Sequence, residues 1–308
     1  MMKEVKVAIG NTYPLEGLLT LPEGEGPFPA VVLVHGSGSS DMDSKVYAVT
    51  PFKDIAEGLA KLGVATIRYN KRTFTHGRQV LKDYPKNFTV NEETIEDAIF
   101  AKELLEKDAR INPSQIYVAG LSLGGMLAPR MTVEGDFAGT IILAGSPRRL
   151  EDAFIQQQND FLATANGFLK WLVGKQINKL QENFKNIDNM TDEEAMNKKF
   201  AGGTTYYYMK EMASKPAHMY LENSDKPVLV MHGEMDVQVS LKHDFEGYKE
   251  ILKNHPDATF KLYPGLGHAF TKTENTQVSK ALKDFKRPGQ TVDKKVIEDI
   301  AEWVMNRG

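Results

Sequence analysis

The chain has 308 residues, 41% apolar, 26% charged and 9% aromatic, enough apolar surface for a sizeable core, which excludes a collagenous or wholly disordered polypeptide. Thirty-eight Lys and Arg stand against 41 Asp and Glu, a formal charge of -3, with no basic stripe to attract a phosphate backbone, so nucleic acid is not an expected partner. There is no cysteine, which removes thiolate catalysis, iron–sulfur clusters, cysteine zinc sites and disulfides together and suits a reducing compartment.

The opening residues, Met1 to Val7, alternate charge with apolar side chains and lack the uninterrupted run of a signal peptide. No apolar stretch approaches the roughly 18 residues that span a bilayer. A cytoplasmic chain without a membrane partner is therefore expected.

Val5–Ile9 and Leu15–Leu21 read as strands split by the Gly10-Asn11 turn, forming an antiparallel edge. Continuous apolar runs at Ala30–Val34, Val64–Ile67, Ile116–Ala119, Thr140–Leu143 and Val228–Met231, with a weaker one at Thr259–Tyr263, suit strands buried on both faces of a parallel sheet. Helical spacing of apolar residues marks Pro51–Leu62, Glu93–Leu105 and Val292–Met305. Strands alternating with such helices predict an α/β fold, a mostly parallel eight-stranded sheet with flanking helices.

One region breaks the rhythm. Between Ala144 and Pro227 lie about 80 residues, far more than one crossover needs, carrying ten aromatics from Phe154 to Tyr220. Residues 149–223 are expected to form a helical cap inserted between the sixth and seventh strands of a core made by residues 1–148 and 224–308. Its aromatic face would wall an apolar pocket; the plainer alternative is extra helices packed for stability.

Gly120-Leu121-Ser122-Leu123-Gly124 fits a strained strand-to-helix turn that exposes a nucleophilic serine, where a Cβ at either flank would collide with neighbouring backbone. A serine hydroxyl needs a base, and the base an acid. In the chain order that accompanies this turn, an acid and then a histidine follow the serine. Asp236 follows the Val228–Met231 strand, with Glu234 as its rival, and His268 lies on the Gly-bracketed loop after the last strand. His35 and His232 are expected to hydrogen-bond backbone near strand ends. The loop His35-Gly36-Ser37-Gly38 would supply one oxyanion-hole amide, Ser37, the other coming from Leu123. No nucleotide loop and no metal-ligand cluster is visible, so no cofactor is expected.

These motifs, together with Arg68-Tyr69-Asn70-Lys71-Arg72, resemble the α/β-hydrolase superfamily, and within it the bacterial serine esterases related to dienelactone hydrolases and prolyl-oligopeptidase-type catalytic domains. The resemblance spans nearly the whole chain, with Asn70 standing where that group commonly has Asp. It implies a cofactor-free hydrolase acting on a small-molecule carboxylic ester through Ser122, His268 and Asp236. Peptidase or amidase activity, or binding without turnover, are the alternatives, and homo-oligomerisation is left open. Lys71 and Arg72 read either as binders of an acidic substrate group or as members of structural ion pairs.

Overall fold

The computed structural model describes residues 2–164, 167, 181–182, 184–200 and 202–307. Its eight strands are β1 (Lys3–Ile9), β2 (Leu15–Leu21), β3 (Phe28–Val34), β4 (Ala65–Tyr69), β5 (Ile111–Leu121), β6 (Thr140–Leu143), β7 (Val228–Gly233) and β8 (Ala258–Tyr263), ordered β1-β2-β4-β3-β5-β6-β7-β8 across one sheet. β1 and β2 pair antiparallel, Lys3 opposite Leu21 and Ile9 opposite Leu15. β2 is antiparallel to β4, and every pairing from β4 to β8 is parallel.

Side chains alternate across a strand, so each central strand feeds two cores. Val31 and Leu33 of β3 and Tyr117 and Ala119 of β5 pack with α1 (Pro51–Lys61) and the C-terminal helix Lys294–Met305. Ala30, Val32 and Val34, with Ile116 and Val118, face the other way, toward α3 (Glu96–Glu106) and α4 (Leu123–Glu134). Both faces are covered, which is why these strands read as unbroken apolar runs rather than alternating ones. Helix α1 starts on Pro51, a residue suited to a first helical turn, and buries Phe52, Ile55, Ala56 and Leu59.

Two helical features differ from the sequence reading. Arg72–Asp83 forms α2, although its only buried residues are Arg72 and Val80 and its backbone kinks at His76, so it carries no apolar stripe to announce it. The helix expected from Glu93 begins as a π-helical turn, Asn91–Ile95, before α3 proper.

The described residues between β6 and β7 are mainly helical: α5 (Leu150–Thr164), α6 (Asp192–Asn197), α7 (Tyr206–Ser214) and α8 (Ala217–Leu221). Thr191 and Glu194 close a capping box on α6. Helices this short are not stable alone, and their aromatics supply a local core. Phe184, Phe200 and Tyr206 meet in tilted and edge-on contacts with ring centroids 5.3 to 6.4 Å apart, beside Ile187, Ala195 and Met209. These three rings thus contribute to a core of the insertion's own. Phe168 and Trp171 lie outside the described residues, as do the side chains of Phe154 and Phe161. Among the described residues no helix is long and apolar enough to cross a membrane.

Candidate active site

Strand β5 runs into Ser122, and α4 begins at the next residue. Ser122 has φ 58° and ψ -116°, a conformation that costs a side-chain-bearing residue roughly 1–3 kcal/mol and persists only where surroundings enforce it. The enforcement is visible: Ser122 N donates to Leu143 O at 2.9 Å, and Ser122 O accepts from Met126 N at 3.0 Å. A Cβ on Gly120 would stand 2.0 Å from Gly124 O, and one on Gly124 would stand 2.5 Å from Val34 O. The two flanking glycines are therefore required by close backbone approach, as the motif implied. The Ser122 hydroxyl does not cap α4.

Asp236 and His268 come from loops after β7 and β8 that are fastened to each other. Glu234 N donates to Tyr263 O and Met235 N to Leu266 O, both at 2.9 Å. His268 occupies a tight turn closed by Gly267 N to Thr271 O at 3.0 Å, and Phe270 O accepts from Asp293 N at the start of the C-terminal helix. The result is a 2.7 Å hydrogen bond from His268 Nδ1 to Asp236 Oδ2. The other Asp236 oxygen accepts from Gln238 N at 2.7 Å and Val239 N at 3.0 Å. The Asp236 side chain is fully buried and that of His268 is 11% exposed. Burial opposes ionisation of Asp236, but His268 and the donors around it prevail and hold the carboxyl below its ordinary range. Glu234, the rival acid, is exposed. With Nδ1–H committed to Asp236, the imidazole keeps Nε2 as its free basic nitrogen. Ser122, Asp236 and His268 all follow the C-terminal ends of parallel strands, the edge where such sheets bind ligands. Among the described residues no hydrogen bond joins Ser122 to His268, a contact often loose before substrate binds.

The His35 loop leaves β3 against the serine: a Cβ on Gly36 would lie 3.1 Å from Ser122 Cβ. His35 itself is buried and its Nε2–H donates to Tyr69 O at 2.6 Å, the backbone role expected of it. Desolvation, with Lys71 nearby, brings its imidazole down to about 4. His232 is buried and stacks on Phe245 with centroids 5.6 Å apart. Leu123 N sits in the first turn of α4, where amides lack an intrahelical acceptor. Lys71 and Arg72 are resolved in favour of structural pairing. Arg72 meets Asp97 at 2.6 Å and Glu96 at 2.8 Å, and Lys71 meets Glu93 at 2.9 Å. Sequence reasoning gave Glu93 no role, and among neighbouring carboxylates such as Glu92, Glu96 and Asp97 nothing in the sequence set it apart.

The sheet order and the strand–serine–helix turn define an α/β hydrolase. The family described as "Serine aminopeptidase, S33" matches residues 26–275, and the chain belongs to it. The chain is 32% identical over 292 residues to "Esterase EstD" of Thermotoga maritima, covering 94% of this chain and 65% of that relative; it thus spans less than two thirds of the relative's length. Among solved structures, Est1E from Butyrivibrio proteoclasticus is similar with a TM-score of 0.58 at 16% identity, over 96% of this chain and 99% of that one. A dienelactone hydrolase from Anabaena variabilis is similar with a TM-score of 0.53 at 17% identity, over 99% of this chain and 98% of that one. At such identities these structures speak to the fold.

Proposed function

We propose that the chain is a cytoplasmic, cofactor-free serine hydrolase that cleaves small-molecule carboxylic esters through Ser122, His268 and Asp236. The observation that carries the reading is the buried Asp236 bonded at 2.7 Å to His268 on the same sheet edge as the strained Ser122; a structural histidine has no need of that arrangement. The name of the Thermotoga relative favours esters. Ser122 Oγ attacks the carbonyl while His268 Nε2 takes its proton, and Asp236 holds the imidazole in the Nδ1–H tautomer and stabilises the imidazolium. The Ser37 and Leu123 amides meet the charge developing on the carbonyl oxygen. His268 then protonates the leaving alcohol, and water releases the acyl group by the same route in reverse.

The second reading is a peptidase or amidase, favoured by the family's description. A panel of chromogenic esters and aminoacyl amides, run beside a fluorophosphonate probe, separates the possibilities. Probe labelling at Ser122 with turnover of esters well above amides is the expected result. Faster amide turnover moves the assignment to the peptidases, and no labelling leaves a binding protein on a hydrolase fold.

A further inference from the structure

Lys71 is the second residue after β4, following Asn70, and its side chain is 2% exposed. A buried ammonium carries a desolvation cost of several kcal/mol that only close partners offset, so what it touches is informative. Nζ donates to Gly36 O at 2.8 Å and pairs with Glu93 Oε1 at 2.9 Å. Glu93 is 10% exposed, and its second oxygen accepts the hydroxyl of Tyr208 at 2.5 Å. Tyr208 belongs to α7, within the β6–β7 insertion. A line of polar contacts thus runs from the insertion through Glu93 and Lys71 to the loop beside Ser122.

The carbonyl at its end matters because the peptide unit is planar and trans, so C=O of Gly36 and N–H of Ser37 point in opposite directions. A charge-assisted bond that holds the carbonyl toward Lys71 holds the Ser37 N–H away from it. Gly36 has no side chain to resist a peptide flip, and its α-carbon lies against Ser122, where an added Cβ would be 3.1 Å from Ser122 Cβ. Without an anchor the Gly36–Ser37 peptide could turn over and present an oxygen to the developing oxyanion instead of a donor. The ammonium also polarises this peptide, strengthening the amide as a donor.

From this we infer that Lys71 is a positioning residue for the oxyanion hole: it fixes the Gly36–Ser37 peptide, and Glu93 and Tyr208 hold it in place, coupling α7 to transition-state stabilisation. The inference rests on the proposed hydrolase reading. Lys71 acts through the Ser37 amide and touches no reacting atom.

The test compares the wild type with Lys71→Met, Lys71→Arg and Tyr208→Phe on a p-nitrophenyl ester. Three readings are taken: kcat and KM, inhibition by a trifluoromethyl ketone whose tetrahedral adduct on Ser122 bears an oxyanion, and inhibition by the carboxylate product. Loss of one oxyanion donor costs about 100- to 1000-fold, and partial misorientation less. The expected result for Lys71→Met is therefore a fall of about 10- to 100-fold in kcat with little change in KM, a parallel loss of ketone affinity, unchanged product inhibition, and partial rescue by Lys71→Arg. A kcat near wild type, or a loss carried by KM with ketone affinity retained, overturns the inference. If Lys71→Met does not fold by circular dichroism, Tyr208→Phe decides, since it deletes one hydroxyl. The same kcat-weighted split supports the coupling, and unaltered kinetics overturn it. Failure of the hydrolase reading shows separately, in the wild type, as no ester turnover and no fluorophosphonate labelling of Ser122.

Discussion

The bond from His268 Nδ1 to Asp236 sets the proton position on which the proposed chemistry depends. Asp236→Asn keeps the shape but offers the imidazole the wrong partner, and a loss of about 10⁴ in kcat is expected. Ser122→Ala and His268→Ala should each lose at least as much, because such groups act as a unit. Glu234→Gln, at an exposed position, should leave kcat near wild type; the reverse pattern in steady-state kinetics would reassign the acid. A second expectation concerns His35, whose Nδ1 has no partner among the described residues and whose ring is buried. Burial lowers its imidazole to about 4, against about 6.5 in the unfolded chain. Between those values the unfolded state binds more protons, so stability is full above about pH 6.5 and falls as pH drops toward 4, by on the order of 3 kcal/mol. Urea unfolding of His35→Gln should show a flatter pH profile than wild type across that window; parallel profiles would refute the assignment. Ser122, Asp236 and His268 stood out in the sequence as candidates because glycines and strand ends frame them. The ion pairing of Lys71 was among the expectations, but its hold on the Gly36 carbonyl was not, because a backbone acceptor leaves no trace in residue identity.

At the scale of elements, legibility followed burial. β3, β5, β6 and β7 are covered on both faces and announced themselves as apolar runs. β8 lies at the sheet edge, is mostly half-buried, and read weakly. α2 was missed because charge holds it: Arg72 at its start pairs with Asp97 and Glu96 and lies 5.3 Å from the Tyr13 ring. The strand–serine–helix element carries the sharpest element-level expectation. In Gly124→Ala the new Cβ would meet Val34 O at 2.5 Å and His35 O at 2.7 Å, backbone atoms that cannot turn aside. α4 would have to back away from β3, at a cost on the order of 3 kcal/mol, visible as a lower midpoint in chemical denaturation. Turnover should fall as well, since the Leu123 amide moves with the helix. Unchanged stability would show that the approach relaxes cheaply and that the glycine is not a packing requirement.

For the whole molecule the question is what the β6–β7 insertion does to the rest of the chain. Its position suggests a removable lid, yet its described contacts run into the core. Met212 packs in the same cluster as Val32, Val118 and Leu127, and Leu221 packs with Ile142 and Val228. Thr205 donates to Lys86 O at 2.7 Å. Glu211 pairs at 2.7 Å with Arg130, which is 3% exposed and sits on the helix that begins after Ser122. Excision would expose the core beneath α7 and α8 and leave Arg130 with Glu134 alone at 2.9 Å, and a buried charge short of partners is strongly destabilising. Replacing residues 150–223 with a short Gly/Ser linker is therefore expected to abolish cooperative folding rather than yield an open hydrolase of broader selectivity. Milder changes should grade the effect: Leu221→Ala by about 2–5 kcal/mol through the cavity it leaves, and Glu211→Gln by about 1–3 kcal/mol, since Arg130 keeps one carboxylate. Thermal unfolding followed by circular dichroism measures all three. A linker variant that melts cooperatively near the wild-type temperature would show that the insertion is a separable cover and that these contacts are incidental to the fold.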